Sequence, residues 1–314
     1  MSLCLVTGVA GFIGSTLAER LLADGHTVRG VDCFVEYYPR PIKQKNLTNL
    51  LAHPNFCFIE KNLATDELVS VVRDVEFVFH QAGQAGVLPS WGQRFDSYVT
   101  NNITATQRLL EAVREKPLHK FLFASSSTIY GEARELPVRE TALPHPIVPY
   151  GVTKLAAEHL VNAYHDNFGL PTIILRYFSV YGPRQRPDIA FHKFIDAIAH
   201  NHPIRLRGDG EQTRDATFVS DVVEANVLAM QSAAHGEIFN IGGGERATIN
   251  HIIHLMEQII ERPALIERAP TAPGEMRHTW ADTTRARDLL HFTPHTSLYE
   301  GLHQQIEWQL ANDR

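Results

Sequence analysis

Through its first 180 residues the chain alternates short apolar runs with longer amphipathic stretches. Leu3-Cys4-Leu5-Val6 is apolar at every position, the pattern of a strand buried on both faces. From Phe12 to Ala23 the period changes. Ile13, Leu17, Leu21 and Leu22 share one helical face, and Gly25 supplies the stop. Thr27 to Val31 reads as the next strand, ending at Asp32. Phe56 to Ile59 is a strand, Thr65 to Val72 a helix and Val75 to Phe79 a strand. Asn101 to Glu115 is a helix and Phe121 to Ala124 a strand. Tyr150 to Phe168 is a long helix, and Thr172 to Leu175 a strand. Strands alternating with helices of this size predict a parallel sheet covered on both faces.

After Tyr181 the texture changes. Gly182-Pro183-Arg184-Gln185-Arg186-Pro187 is a rigid basic turn. A helix over Phe191–His200, a Gly208-Asp209-Gly210 turn and a helix over Asp221–Ser232 follow. Glu237 to Ile241 reads as one more buried strand, which returns the chain to the first sheet. From about Pro263 the pattern predicts only short elements. The expected architecture is α/β: a Rossmann-like doubly wound parallel sheet over 1–180, which also receives the strand near 237–241, and a smaller, interleaved C-terminal α/β substrate domain over 181–314.

Composition narrows the function classes. The chain has 314 residues, 44% hydrophobic and 20% charged, as soluble enzymes do. A net charge of -6 gives no basic field for nucleic acid. Cys4, Cys33 and Cys57 sit in or beside apolar strand-like runs and read as buried small hydrophobes in a reducing compartment. No leader pattern and no membrane-length apolar run is apparent, so a cytoplasmic protein is expected. The 17 histidines are scattered without zinc-site spacing, so no metal is expected. The Glu and Arg residues over 132–140 read as a solvated loop.

Two motifs carry the chemistry. Gly8, Gly11 and Gly14 directly follow a strand and open a helix, the context a dinucleotide-binding turn requires. The first glycine permits a tight turn and the second lets backbone approach a pyrophosphate. The third lets helix pack on strand. Asp32, 18 residues after Gly14, closes the second strand. A carboxylate there bonds a ribose 2′-hydroxyl and repels a 2′-phosphate, favouring NAD over NADP. Tyr150 and Lys154 form a Tyr-x-x-x-Lys unit, with Ser125-Ser126-Ser127 upstream. A tyrosine at its ordinary pKa near ~10 is a poor base at neutral pH, and a lysine one turn away favours the phenolate.

Thr7-Gly-x-x-Gly-x-x-Gly14, Asp32, Ser126 and Tyr150-x-x-x-Lys154 resemble the extended short-chain dehydrogenase/reductase family, in its nucleotide-sugar epimerase and dehydratase branch. The resemblance spans essentially the whole chain, including Arg176 to Pro183, Gly208 to Arg214, and Asn240-Ile241-Gly242. It implies catalytic roles for Tyr150, Lys154 and Ser126. It also implies cofactor contacts at Phe12, Ile13, Gln81-Ala82-Gly83 and Asn102. Where the family usually has an Asp-hydrophobic pair at the adenine, this chain has Asn62-Leu63. Homodimers through paired helices are usual in the family. The helices over 101–115 and 150–168, with Ile103, Leu109, Leu110 and Val113 facing Leu155, Leu160 and Val161, are expected to form that interface.

The family oxidises a sugar C4 hydroxyl with NAD. Its dehydratases carry Asp-Glu just after the catalytic hydroxyl, and its decarboxylases a Glu. Here those positions are Ser127 and Thr128, without a carboxylate. Return of the hydride to the other face, 4-epimerisation, remains. The run from Arg176 to Asp188, then Phe191 to Ile195, is most similar to UDP-glucuronate 4-epimerases, and a cation there suits a C6 carboxylate. Arg186, or its neighbour Arg184, is the expected carboxylate ligand, helped by Ser127, Thr128 and Ser179. Arg214 and Arg277 are expected at the diphosphate, and the uracil near Ile204–Leu206. The alternatives are a 4-epimerase of UDP-glucose or UDP-N-acetylglucosamine, and a net nucleotide-sugar dehydrogenase or reductase.

Overall fold

The computed structural model describes residues 1–312. The chain begins with β1 (Leu3–Thr7), α1 (Phe12–Ala23), β2 (Thr27–Asp32), α2 (Arg40–Leu51), β3 (Phe56–Glu60) and β4 (Phe77–His80). Next, α3 (Phe95–Tyr98) passes through a wider π-type turn over Val99–Thr104 into α4 (Ala105–Val113). Then come β5 (Lys120–Ser126), α5 (Pro149–Phe168), β6 (Thr172–Tyr177) and β7 (Val180–Tyr181). Beyond these lie α6 (Ala190–Ala199), β8 (Pro203–Arg207), β9 (Thr213–Asp215), β10 (Thr217–Phe218), α7 (Val219–Gln231) and β11 (Glu237–Ile241). The last elements are β12 (Arg246–Thr248), α8 (Ile249–Ile260), β13 (Leu265–Ala269), α9 (Thr284–Leu290) and α10 (Leu298–Asn312).

Seven strands form one parallel sheet in the order β11-β6-β5-β4-β1-β2-β3. Side chains alternate across it. Cys4 and Val6 of β1 join a core with Leu17, Leu122, Leu175 and Val222, while Leu5 joins Val78, Leu109, Phe121 and Val161 on the other face. The chain leaves β1 for β2 and β3, then crosses to β4 on the other side. Strand order therefore reverses between β1 and β4, and a crevice opens there beyond the strands' C-terminal ends.

A third core lies under the later elements, with Phe191, Ile195, Leu206, Ile252, Met256 and Leu302. Helix α10 closes it. Gly301 sits so near the Tyr181 hydroxyl that a β-carbon would overlap it. Gln305 accepts the Gly182 N–H and donates to Gln185, both at 2.8 Å. Gln309 donates to the His192 carbonyl at 3.0 Å.

Several expectations are corrected. Residues 65–72 form turns rather than a helix. Side chains take the backbone groups a helix would use: Arg108 donates to the Leu63 and Asp66 carbonyls, and Asp66 accepts the Asn62 N–H. The C-terminal region, read as short elements, ends in the 15-residue helix α10. Its Leu298, Leu302 and Ile306 recur every four residues and enter one core, a helical period present in the sequence but not read there. The helix α2 was not anticipated, because its face is polar and half exposed. Cys4 is buried, but Cys33 is half-buried and Cys57 exposed. Nor is 132–140 purely solvated, since Glu140 accepts the Asn240 N–H at 2.8 Å.

Candidate active site

One cleft of about 880 Å³ runs along the crevice. At one end the turn after β1 brings Gly8, Gly11, Phe12, Ile13 and Gly14 to its wall. Gly8 has φ 69°, and a β-carbon on it would lie 2.8 Å from the Ala82 backbone. One on Gly14 would overlap the Gly8 carbonyl oxygen. Bare backbone N–H groups at the start of α1 thus face the cleft, as a pyrophosphate needs. Asp32 ends β2 at the same wall and accepts N–H bonds from Ala10 at 3.1 Å and Phe34 at 2.8 Å. These bonds and nearby Lys43 favour the carboxylate, but the larger effect of burial raises its pKa. Asn62, Leu63, Gln81, Ala82 and Gly83 complete this end. A dinucleotide fits this cradle.

Asn102 is not at the cleft wall. Its amide accepts the Gln84 N–H at 2.6 Å and donates to the Gln84 carbonyl and to Thr153. It clamps the loop after β4 to helix α5.

The centre of the cleft is where β5 meets α5. Ser126, Ser127, Thr128, Tyr150 and Lys154 all line it. Ser126 Oγ accepts from the Thr128 N–H at 3.2 Å and the Thr128 hydroxyl at 2.9 Å. With both lone pairs engaged, its own proton points elsewhere, and Tyr150 is its side-chain partner. Burial raises the Tyr150 pKa; that bond and the charge of Arg186 oppose the rise. Lys154 Nζ donates to the Ala124 carbonyl at 2.7 Å and lies 4.9 Å from the Phe123 ring centre. Burial pulls its pKa down to about 8, against the carboxylate of Glu158. Ser126 and Arg186 both favour the phenolate, and the buried Lys154 ammonium, one helical turn from Tyr150, lies beneath the same site.

Ser179, Arg186 and Arg214 also line the cleft, as do Arg205, Leu206 and Arg207. Arg186 lies over the Tyr37 ring, 5.0 Å from its centre, and pairs with Asp188 at 2.9 and 2.7 Å. Arg184, with φ 69°, turns the other way, to Ser15 and Glu19 of α1. Of the two arginines only Arg186 faces the cleft. Arg214 donates to the Thr213 and Arg277 carbonyls; burial lowers its pKa, and the nearby carboxylates of Glu275 and Glu132 oppose this. Arg277 is outside the cleft. It is exposed and held bidentately by Asp209 at 2.8 Å, the nearer anion.

Three groups went unseen in the sequence: Tyr37 and Asp188 at the cleft wall, and Glu158 behind it. Asp188 stands two positions from Arg186. Glu158 continues the stripe of Tyr150 and Lys154 at a spacing of four. Both spacings are readable signals. Among the described residues no group of three His, Cys, Asp or Glu is placed to hold an ion. No described helix is long and apolar enough to cross a membrane.

Comparison with known proteins places this geometry. A relative from Bacillus subtilis strain 168, an uncharacterized UDP-glucose epimerase, is 47% identical over 97% of this chain and 96% of its own length. A UDP-glucuronate 4-epimerase of Thermodesulfobacterium geofontis is 35% identical, covering 99% and 97%. The crystal structure of UDP-glucuronic acid 4-epimerase from Bacillus cereus, in complex with UDP-glucuronic acid and NAD, superposes with TM-score 0.96 at 43% identity over 99% of both chains. The NAD dependent epimerase/dehydratase family model matches residues 4–242. With the glycine turn, Asp32 and the Ser126–Tyr150–Lys154 centre in one cleft, the chain belongs to the NAD-dependent epimerase/dehydratase family.

Proposed function

We propose that this protein is a UDP-glucuronate 4-epimerase, converting UDP-glucuronate to UDP-galacturonate. The observation that carries the reading is Arg186, a cation turned into the cleft near Tyr150 and accompanied by the hydroxyls of Ser127, Thr128 and Ser179. A guanidinium suits the C6 carboxylate, and the hydroxyls orient it without supplying an acid. Tyr150 takes the proton of the C4 hydroxyl, and Ser126 donates a hydrogen bond to the oxygen. Lys154 holds the strand end in place and keeps positive charge beneath the site. Bound NAD takes the C4 hydride and returns it to the opposite face. The glycine turn, Asp32, Asn62, Leu63 and the 81–83 loop would hold it. Arg214 suits the diphosphate, and the Arg205–Leu206 backbone suits the uracil.

A 4-keto glucuronate is a β-keto acid and loses CO2 when its C5–carboxylate bond aligns with the carbonyl π system. Arg186 is the clamp that prevents this alignment while the ketone turns. The B. cereus enzyme, similar along its whole length, supports the substrate. A second reading, UDP-glucose, is favoured by the Arg186–Asp188 pair, which already compensates the cation. Product NMR after separate incubation with UDP-glucuronate, UDP-glucose and UDP-N-acetylglucosamine decides. Turnover of UDP-glucuronate to its C4 epimer is expected, and preference for UDP-glucose would overturn the assignment.

A homodimer through α4 and α5 is part of this proposal, on an altered basis. Leu109, Leu110, Val113 and Val161 are already buried in the chain's own core, so they offer no surplus surface. The outward apolar groups on α5 are Val152, 47% exposed, and Phe168, 53% exposed. Light scattering giving a monomer mass at micromolar concentration would refute the dimer.

A further inference from the structure

Helix α5 presents three polar side chains on one stripe, four residues apart, and between them they meet the last three residues of β5, one each. Tyr150 pairs with Ser126, Lys154 donates to the Ala124 carbonyl at 2.7 Å, and Glu158 accepts from the Ser125 hydroxyl. The first two face the cleft. Glu158 does not line the cleft and is 2% exposed, but it reaches the cleft wall through Ser125, which does line it. A carboxylate so buried is costly unless paired. Its partner is Arg176 of β6, which donates from Nε at 3.0 Å and Nη2 at 2.7 Å. The remaining Arg176 nitrogen donates to the Tyr130 hydroxyl at 2.7 Å and to the Glu140 carbonyl at 3.1 Å. Tyr130 in turn donates to Asn240 of β11 at 2.7 Å.

We propose that Glu158 is a positioning residue for the reaction: it fixes the β5 end through Ser125, and its carboxylate keeps Lys154 protonated while the enzyme works. The inference rests on the role assigned above to Tyr150, Lys154 and Ser126. Ser126 follows Ser125 directly, so a β5 end free to slide would change the Ser126–Tyr150 separation, to which proton transfer is sensitive. The electrostatic part follows from placement. Buried as it is, Lys154 loses its proton more readily, and Glu158, one turn away on the same helix, is the anion that opposes this. The other groups around Lys154 are the Phe123 ring, His80 of β4 and the uncharged Asn102. Tyr150 faces Ser126, Arg186 and Tyr98.

The test compares kcat against pH for wild type, Glu158→Gln, Glu158→Gln/Arg176→Met and Ser125→Ala with a turned-over UDP-sugar. The double variant removes both buried charges and so avoids stranding Arg176. In wild type, kcat falls on the alkaline side as Lys154 loses its proton. In both Glu158 variants that limb moves to lower pH, by on the order of one unit. Ser125→Ala lowers kcat several-fold with KM unchanged and leaves the limb in place. A properly folded Glu158 variant with an unmoved limb overturns the electrostatic role, and Ser125→Ala with wild-type kcat overturns the geometric one. Should neither Glu158 variant fold, Ser125→Ala decides the proposal alone. Wild type without epimerase turnover on any UDP-sugar would instead refute the underlying functional reading.

Discussion

At the scale of single residues, Tyr150→Phe is expected to cost about 10²–10⁴-fold in kcat, the usual worth of a positioned acid–base group, with NAD and sugar-nucleotide binding preserved. A variant keeping a tenth of the rate would place the base elsewhere. Arg186→Ala is expected to weaken UDP-glucuronate by ~2–5 kcal/mol and UDP-glucose far less. Asp188 would then face the substrate without its partner, adding to the loss. Steady-state kinetics with both sugars measures the split, and equal losses would remove Arg186 from the carboxylate. His80 offers a pH signature. Its ring, fully buried, bonds the Thr7 hydroxyl at 2.8 Å and the Thr106 hydroxyl at 2.9 Å, and burial pulls its pKa from 6.5 to about 3. The unfolded chain binds the proton first, so His80 contributes stability above pH 6.5 that is lost as pH falls toward 3. Asp215 works the other way. Pushed up to about 6, it gives stability below 3.8 that is lost as pH rises through 6. The readout is therefore a difference: between pH 7 and pH 5 the wild-type melting temperature should drop more than that of a His80→Asn variant.

At the scale of elements, what could be read in the sequence followed from how many constraints met at one place. The turn from β1 into α1 was legible because a tight turn, a close backbone approach and a helix start all demand glycine at fixed offsets. Gly14→Ala should therefore abolish NAD retention, since its β-carbon would overlap the Gly8 carbonyl. Assay of nucleotide released on denaturation checks this, and normal NAD content would show that the turn can shift. The strands of the sheet were legible because burial on both faces leaves an apolar run. Residues 65–72 were misread because their periodicity imitates a helix while Arg108 and Asp66 claim the backbone groups. Asn102 bonds Gln84 and Thr153, partners the motif does not show, because a motif position says where a side chain starts and not which groups it reaches. Arg277 pairs with Asp209, distant in sequence, a contact the motif alone does not show. Helix α10, whose Leu298, Leu302 and Ile306 carry a helical period that went unread, clamps the loop bearing Arg186 through Gln305. Gln305→Ala should raise KM for the UDP-sugar without altering NAD content; unchanged KM would mean the loop holds itself.

At the scale of the whole molecule, the sheet is not finished by the segment that starts it. Its β6 is buried along its whole length, and one edge is covered only by β11, paired from Glu237↔Ile173 to Ile241↔Tyr177. A chain stopped before residue 237 should accumulate in the insoluble fraction on expression, and a soluble, cooperatively melting fragment would disprove this. The same feature has a meaning during synthesis. Roughly 60 residues separate the two strands, so at about 5–20 residues per second the ribosome leaves the β6 edge bare for about 3–12 seconds. Through that interval the nascent chain offers a sticky template, and holding by a chaperone or slow release from the exit tunnel would decide how much of it reaches the native state.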